Sequence, residues 1–219
     1  MSKSIAIVQT SQVSSEQLKA LCEEIIPDVT VHQIIDDSLI DEVADNGGPS
    51  QGVINRMYAY FKCAESLGVD LILNQCSSVG EVVDQLRPMI GVPIVKIDEA
   101  MARKAVSMGK KIAMIATVAS TVGPSGRLIQ KTAQEMGKEI ELEERLVKDA
   151  MMVLIKTGDR DKHNAMVLGE VQQAAKDNDV IVLAQGSMTV LLPLVKDMEK
   201  PVLTSPRLAI EYVKELLDA

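Results

Sequence analysis

The chain has 219 residues, of which 47% are hydrophobic, and its formal net charge is -8. This length and composition provide for one large core or two small ones, and they argue against intrinsic disorder. Since no cluster of basic residues is longer than Lys110-Lys111, we expect no nucleic-acid partner. The chain has neither a signal-peptide pattern nor an apolar run of about 18 residues, so we expect a cytoplasmic protein without membrane contact.

The cysteines and histidines indicate neither a disulfide framework nor a metal site. Cys22, Cys63 and Cys76 are odd in number and have no CxxC spacing, and His32 and His163 lie far apart in sequence. We therefore expect no metal and no cofactor. Cys22 and Cys63 fall on helical patterns and are predicted to be small buried residues, whereas His163 lies in a charged stretch typical of the surface.

Strand-like and helix-like segments alternate along the first half. The predicted strands are "SIAIVQT", "VTVHQII", "DLILNQ" and "VPIVKI". The predicted helices begin with the capping-box pattern at Ser14, run through "VINRMYAYFKCAESLG" and "GEVVDQLRPMI", and extend from Glu99 to Met108. The acidic pair Asp98-Glu99 is interpreted as a helix start rather than as a catalytic pair. The stretch "DNGGPSQG", from Asp45 to Gly52, is predicted to be a mobile surface loop, with a lid as the alternative.

The second half repeats the first. "KSIAIVQT" from Lys3 resembles "KKIAMIAT" from Lys110, 107 positions later, and "DLILNQCSS" from Asp70 resembles "DVIVLAQGS" from Asp179, 109 positions later. These matches in register predict an α/β protein with two pseudo-symmetric, doubly wound parallel-sheet lobes related by internal duplication. The first lobe is predicted to span residues 1–98 plus 207–219 and the second 99–206, with the active-site cleft between them.

Ligands of open parallel sheets lie beyond the carboxyl ends of the strands, where helix N-termini present free N–H groups. Four such segments are rich in hydroxyl and amide groups, which suits a small carboxylate. They are Gln9-Thr10-Ser11, Asn74 to Ser78, Thr117 to Thr121, and Gln185-Gly186-Ser187. Helix capping remains the alternative role for Thr10 and Ser11, and a turn for Asn74.

Cys76 follows a strand and precedes Ser78-x-x-Glu81, which is a capping-box pattern. A thiol near a helix N-terminus is favoured as a thiolate, and a thiolate can act as a base. The alternative is a small buried residue, although the polar neighbours of Cys76 argue against it.

With these residues the chain resembles the aspartate/glutamate/hydantoin racemase superfamily along essentially its whole length. The family pattern of a strand followed by Cys and two small polar residues is met by Cys76-Ser77-Ser78, and the pattern after the middle strand by Ala116, Thr117 and Ser120. The segment "IDEAMA", from Ile97 to Ala102, is similar to the hydantoin branch. The resemblance implies a cofactor-independent isomerase with two lobes and one cysteine from each lobe, and it suggests a homo-oligomer.

One departure from the family is large. Where the second lobe should carry Leu-Gly-Cys, this chain reads Leu183-Ala184-Gln185. The repeat independently aligns Cys76 with Gln185, or with Gly186 if the register slips by one residue, and neither can act as a base. Racemisation ordinarily needs an acid and a base on opposite faces of the carbon, and Gln185 can only donate a hydrogen bond to the oxyanion that forms.

We therefore expect a racemase-like isomerase acting next to the carboxylate or carbonyl of a small amino acid, hydantoin or related acid. Cys76 is the expected proton-transferring thiolate. A single-thiol decarboxylase of malonate-type acids and a non-catalytic carboxylate-binding protein remain alternatives. The catalytic candidates are Cys76 and Gln185, and the substrate-binding candidates are Gln9, Thr10, Ser11, Asn74, Ser77, Ser78, Thr117, Ser120, Gly186 and Ser187.

Overall fold

In the computed structural model, which describes residues 3–219, eight strands form two four-stranded sheets that are parallel throughout. The first sheet has the order β2-β1-β3-β4 and the second the order β6-β5-β7-β8. The strands of the first sheet are β1 (Ser4–Gln9), β2 (Thr30–Ile35), β3 (Leu71–Asn74) and β4 (Ile94–Lys96). Those of the second are β5 (Lys111–Ala116), β6 (Glu141–Leu146), β7 (Val180–Leu183) and β8 (Val202–Thr204).

Ten α-helices connect and follow these strands within the described residues. In the first half they are α1 (Ser15–Ile25), α2 (Ser38–Asn46), α3 (Gln51–Ser66), α4 (Gly80–Leu86) and α5 (Glu99–Met108). In the second half they are α6 (Ala119–Glu135), α7 (Lys148–Thr157), α8 (Arg160–Ala174), α9 (Leu192–Val195) and α10 (Ser205–Asp218). Short 3-10 helices at Ser77–Val79, Arg87–Met89 and Gly186–Leu191 complete the description.

The chain divides into two compact units, each built around one sheet. The first unit contains the described residues up to Ile97 together with Pro206–Ala219, and the second is Asp98–Ser205. Helix α10 follows the last strand of the second sheet but belongs to the first unit, and α5 follows β4 but belongs to the second. The first unit is therefore built from two separate stretches of chain, whereas the second is one continuous stretch.

The inner strands β1 and β3 are buried on both faces because helices cover both faces of the first sheet. On one face, Ala6 and Val8 of β1 pack with α2, α3 and α4, and Phe61 is the largest buried side chain there. On the other face, Ile5 and Ile7 pack with α1 and α10. The second sheet has the same construction, with α7, α8 and α9 packed on the face that carries Ile115.

The internal duplication extends to the hydrogen bonds that start the strands. Asp70 accepts from the backbone N–H of Ser4 at 2.7 Å, and the equivalent Asp179 accepts from that of Lys111 at 2.9 Å. Each aspartate ties the start of one inner strand to the loop before its neighbour. The predicted α/β fold with two duplicated parallel sheets is confirmed.

Three local predictions differ from the structure. The segment 45–52 is not one long loop, because only residues 47–50 separate α2 from α3, and Ser50 caps α3 by accepting from Val53 N–H at 3.1 Å. His163 is 5% exposed rather than a surface residue, because it lies four positions before the buried Val167 on the same face of α8. Cys63 is exposed because it falls between the buried positions of α3.

Two other predictions about these segments are confirmed. Cys22 is buried beside Leu18, and burial, followed by the charge of Glu23, raises its pKa to about 12. Helix α5 starts at Glu99 with Asp98 at its N-cap, as the acidic pair indicated. Within residues 3–219, no helix combines the length and the apolarity needed to cross a membrane.

The close approach at Gly109 yields a stability prediction. A Cβ added there would overlap the Cβ of Asp179, which cannot rotate away, and would lie 3.2 Å from Cγ2 of Val180. We expect Gly109→Ala to lower the free energy of unfolding by about 1–3 kcal/mol, as overpacking does. Gly169→Ala is the control, because it meets nothing within 4 Å on exposed α8 and should stabilise by about 0.5–1 kcal/mol. Urea unfolding followed by circular dichroism measures both, and an unchanged midpoint for Gly109→Ala would contradict the close packing.

Candidate functional site

The carboxyl ends of β1 and β3 lie next to each other in the first sheet, at the point where the connections diverge. From β1 the chain passes to β2 on one side, and then to β3 on the other. Such a switch point leaves a crevice between neighbouring loops, which is where open α/β sheets bind ligands. Thr10 follows β1 here, and Cys76 follows β3 after one residue.

Side-chain alternation places three of the candidates on one face of this edge. Val8 and Asn74 are paired in register, and Val8 packs on the face covered by α2, α3 and α4. Thr10 and Cys76 lie two residues further along their respective strands, so they share that face. Cys76 is partly buried and packs against the same core cluster.

Four polar groups near the sulfur of Cys76 lower the pKa of its thiol. They are the hydroxyl of Thr10, the backbone N–H groups of Ser78 and Val79, and the hydroxyl of Ser78. The backbone donors are available because Cys76 is the N-cap of the 3-10 helix Ser77–Val79, whose first N–H groups have no partner in the helix. These groups can stabilise a negatively charged sulfur, as the predicted proton transfer requires. The sequence pattern did not single out Val79, since a backbone donor has no side-chain signature.

The pKa of Cys76 is shifted in the direction opposite to the one expected from its place near a helix N-terminus. Burial raises the pKa of the Cys76 thiol above its ordinary value, and the four hydrogen bonds, led by that of Thr10, offset this only in part. The surrounding protein atoms remove water from the thiolate although the side chain keeps some exposure. The resting group is therefore a thiol within a set of donors suited to its anion.

The predicted capping box at Ser78 and Glu81 does not provide the N-cap of α4. Helix α4 begins at Gly80 with Val79 at its N-cap and no side-chain cap. The Ser78 hydroxyl instead serves the sulfur of Cys76, and Ser78 is buried. Serine is common at helix N-caps, but here the hydroxyl of Ser78 interacts with the sulfur of Cys76.

Asn74 is buried at the last position of β3, and its side chain braces the loop that carries Cys76. Its Nδ2 donates to the backbone carbonyl of Cys76 at 3.0 Å. Its Oδ1 is buried and accepts from no residue in the described range 3–219.

Gln9 and Ser11 do not join this group. Gln9 lies on the opposite face of β1, where its Oε1 accepts from the Ser15 hydroxyl at 3.2 Å. On that face Gln75 Nε2 donates to the Ser14 hydroxyl at 3.3 Å. Ser14 is the N-cap residue of α1, but its hydroxyl bonds Gln75 at the end of β3 and does not cap the helix. Ser11 accepts from the backbone N–H of Val13 at 3.2 Å, which is a local turn.

The second unit repeats the arrangement with different chemistry. Gln185 is the N-cap of the 3-10 helix Gly186–Leu191, as Cys76 is in the first unit. Thr117, the counterpart of Thr10, donates to Gln185 Oε1 from its backbone N–H at 2.9 Å and from its hydroxyl at 3.3 Å. These bonds identify Oε1 as the acceptor, and the remaining Nε2 is a buried donor without a partner within residues 3–219.

The other candidates of the second unit lie near Gln185 or Thr117 in sequence but at different depths. Ser120 is half-buried in the first turn of α6, and Ser187 is exposed. Gly186 is half-buried, and its carbonyl accepts from the Thr189 hydroxyl at 2.9 Å. In the first unit, Ser77 is half-buried in the turn after Cys76.

A buried lysine also lies near the first-unit candidates. Lys96 ends β4 in register with Asn74, and its Nζ is 3.1 Å from each carboxylate oxygen of Asp84 on α4. Its charge is therefore matched within the unit. Among residues 3–219, no group of three or more His, Cys, Asp or Glu side chains is arranged to hold a metal ion.

Three solved structures of racemases are similar in fold. Allantoin racemase from Klebsiella pneumoniae shares 17% identity and a TM-score of 0.74, covering 99% of this chain and 88% of that one. Glutamate racemase from Bacillus anthracis has 15% sequence identity and a TM-score of 0.77, and the match covers 99% of this chain and 82% of that one. Aspartate racemase from Picrophilus torridus has 15% sequence identity and a TM-score of 0.72, and the match covers 99% of this chain and 94% of that one. At these identities the likeness establishes the fold.

The family assignment comes from the sequence itself. No protein of curated function matches it, but the Asp/Glu/Hydantoin racemase family matches residues 7–213, which is nearly the whole chain. The chain therefore belongs to the Asp/Glu/Hydantoin racemase family, and it is an isomerase of the racemase type.

Proposed function

We propose that this protein moves a proton at the carbon next to the carboxylate or carbonyl of a small amino acid, hydantoin or related acid, with Cys76 as the proton-transferring group. The observation that carries the proposal is the set of four donors around the Cys76 sulfur, led by the Thr10 hydroxyl. A merely structural cysteine in an apolar core has no need of such donors.

The proposed reaction begins when the Cys76 thiol loses its proton to solvent. The thiolate removes the proton from the substrate carbon, the C–H electron pair forms a double bond to the carbonyl carbon, and the carbonyl π pair moves onto oxygen, so an enolate forms beside a neutral thiol. Return of the proton from sulfur to the same face restores the substrate, whereas protonation on the other face gives its mirror image. The donors from Thr10, Ser78 and Val79 stabilise the thiolate in the first step and weaken as it is neutralised.

Gln185 takes a different part in the proposal because an amide cannot act as a base. Its Oε1 is held by Thr117, so its Nε2 remains as the donor for the enolate oxygen. The inverting proton would then come from water or another weak donor. Loss of the hydrogen is therefore expected to be faster than inversion.

The substrate class follows from the family rather than from any single neighbour. Allantoin, glutamate and aspartate racemases share the fold, and all three named compounds carry acidic carbons beside a carbonyl. No comparison supports the decarboxylase alternative, and the binding-protein alternative predicts no chemical turnover. We also propose that the enzyme is homo-oligomeric and cytoplasmic. Light scattering measures its oligomeric state.

The role of Cys76 is tested by hydrogen exchange. We expect Cys76→Ala to slow exchange of the substrate α-hydrogen in D2O by about 10²–10⁴-fold, the usual contribution of a positioned acid or base. Proton NMR follows the signal over panels of amino acids, hydantoins and methylmalonate. Cys63→Ala, which removes an exposed thiol of the same unit, is the matched control and should exchange as wild type. Undiminished exchange in Cys76→Ala would remove the sulfur from the mechanism.

The role of Thr10 is tested by pH dependence. Because the Thr10 hydroxyl lowers the pKa of Cys76, Thr10→Val should raise that pKa further and move the alkaline rise of Cys76 alkylation to higher pH. Iodoacetamide labelling read by peptide mass spectrometry gives the profile. Thr117→Val removes the equivalent hydroxyl of the second unit and should leave the Cys76 profile in place. A shift toward lower pH in Thr10→Val would show that the bond stabilises the neutral thiol.

The one-sided mechanism is tested by comparing exchange with inversion. In wild type, deuterium should enter the substrate faster than its mirror image accumulates, as NMR and chiral chromatography report. Gln185→Cys restores the family's second thiol and should bring the two rates together, whereas Gln185→Leu should slow exchange by about 10²-fold, as loss of an oxyanion donor does. Equal rates in wild type would mean that another group already serves the second face.

A further inference from the structure

The side chain of Asn74 has a buried oxygen whose identity is fixed by its partner on the other side of the amide. The group that faces the Cys76 carbonyl must be a donor, so it is Nδ2, and the remaining atom is Oδ1. Asn74 is 1% exposed, and Oδ1 accepts from no described residue. A buried acceptor without a donor is costly, and native proteins retain few of them without a reason.

The duplicated unit shows that the fold does not require an amide here. Strands β3 and β7 have equal length, and each is followed after one residue by the N-cap of a 3-10 helix. The offset of 109 that pairs Cys76 with Gln185 pairs Asn74 with Leu183, which is fully buried. An apolar side chain therefore suffices at this position of the strand, and the cost of the unpaired oxygen is specific to the unit that carries Cys76.

The neighbours of Asn74 in the sheet do not supply the missing donor. Val8 on β1 is apolar, and Lys96 on β4 directs its ammonium group to Asp84 on α4. The backbone carbonyl of Asn74 is separately used by the N–H of Ile97 at 2.9 Å. The side-chain oxygen therefore has no donor from its sheet neighbours, and it lies beside the loop that carries Cys76.

We propose that Asn74 is a specificity-determining residue whose Oδ1 accepts a hydrogen bond from an N–H attached to, or next to, the carbon that exchanges its proton. The inference rests on the proposed function, because it takes Cys76 as the group that reaches that carbon. Only a donor satisfies an amide oxygen, so an ammonium, amide or ureide N–H fits, whereas an ionised malonate-type acid offers only acceptors. The site then selects nitrogen-bearing acids over dicarboxylates that are equally acidic at carbon.

The test compares substrates with and without N–H groups in wild type and in Asn74→Leu, which copies Leu183. The probes are glutamate with its N,N,N-trimethyl derivative, and 5-methylhydantoin with its 1,3-dimethyl derivative. In wild type we expect the N–H form of the better pair to exchange its α-hydrogen about 10- to 100-fold faster, the value of one satisfied against one unsatisfied buried group. In Asn74→Leu the ratio within that pair should fall to within about threefold.

Three results would overturn the inference. In wild type the methylated probes could exchange as fast as their parents, or no probe could bind or exchange. Alternatively, Asn74→Leu could slow both members of a pair equally, which is the result of a purely structural bond to the Cys76 carbonyl. If Asn74→Leu does not fold, the wild-type comparison of the pairs decides alone.

Failure of the proposed function can be told apart from failure of this inference. Calorimetric binding of the same pairs to Cys76→Ala reports the preference for N–H without any proton transfer. If Cys76→Ala still exchanges hydrogen but binds the N–H forms about tenfold more tightly, the role of the sulfur is wrong and that of Asn74 stands. If Cys76→Ala loses hydrogen exchange but binds the N–H and N-methyl forms equally tightly, the proposed role of Cys76 is supported and that of Asn74 is wrong.

Discussion

The competition between burial and hydrogen bonding at the Cys76 sulfur is the constraint on which the candidate site depends. A thiolate removed from water is unstable unless donors replace the lost hydration, and here they come from two parts of the chain. Thr10 follows β1, while Ser78 and Val79 lie in the turn after β3. The pairing of β1 with β3 is therefore more than scaffolding, because it brings the hydroxyl of one strand end to the sulfur of the other.

The internal duplication separates what the fold needs from what the chemistry needs. Both units have a threonine after the first strand, and in both its hydroxyl interacts with the side chain of the residue at the N-cap position of the 3-10 helix. The capped position itself has changed from a titratable thiol to an amide that cannot titrate. The threonine interaction is common to both units, whereas the residue that it meets is a thiol in one unit and an amide in the other.

Sequence patterns predicted most of the architecture and the neighbourhood of the sulfur, because both follow from short-range rules. Alternation along β3 placed Asn74 and Cys76 on one face, and the repeat identified Gln185 as the counterpart of Cys76. The pKa of Cys76 could not be predicted, since the helix N-terminus visible in sequence lowers it whereas the surrounding atoms that raise it come from distant segments. His163 was misplaced for the same reason, because a charged local sequence does not reveal which helix face packs on the sheet.

The raised pKa of Cys76 is compatible with a proton-transferring role because the two protonation states are needed at different moments. A thiol that ionised fully would be a weak base and would attract oxidants, whereas a desolvated thiolate formed only when substrate is present is a stronger base. The donors around the sulfur keep that thiolate attainable, and burial keeps it reactive once formed. The same burial explains the cost of the unpaired oxygen on Asn74, since a site dry enough to strengthen the sulfur as a base is also too dry to hydrate a neighbouring amide. Reactivity and selectivity would then have one physical origin, the exclusion of water from the end of β3.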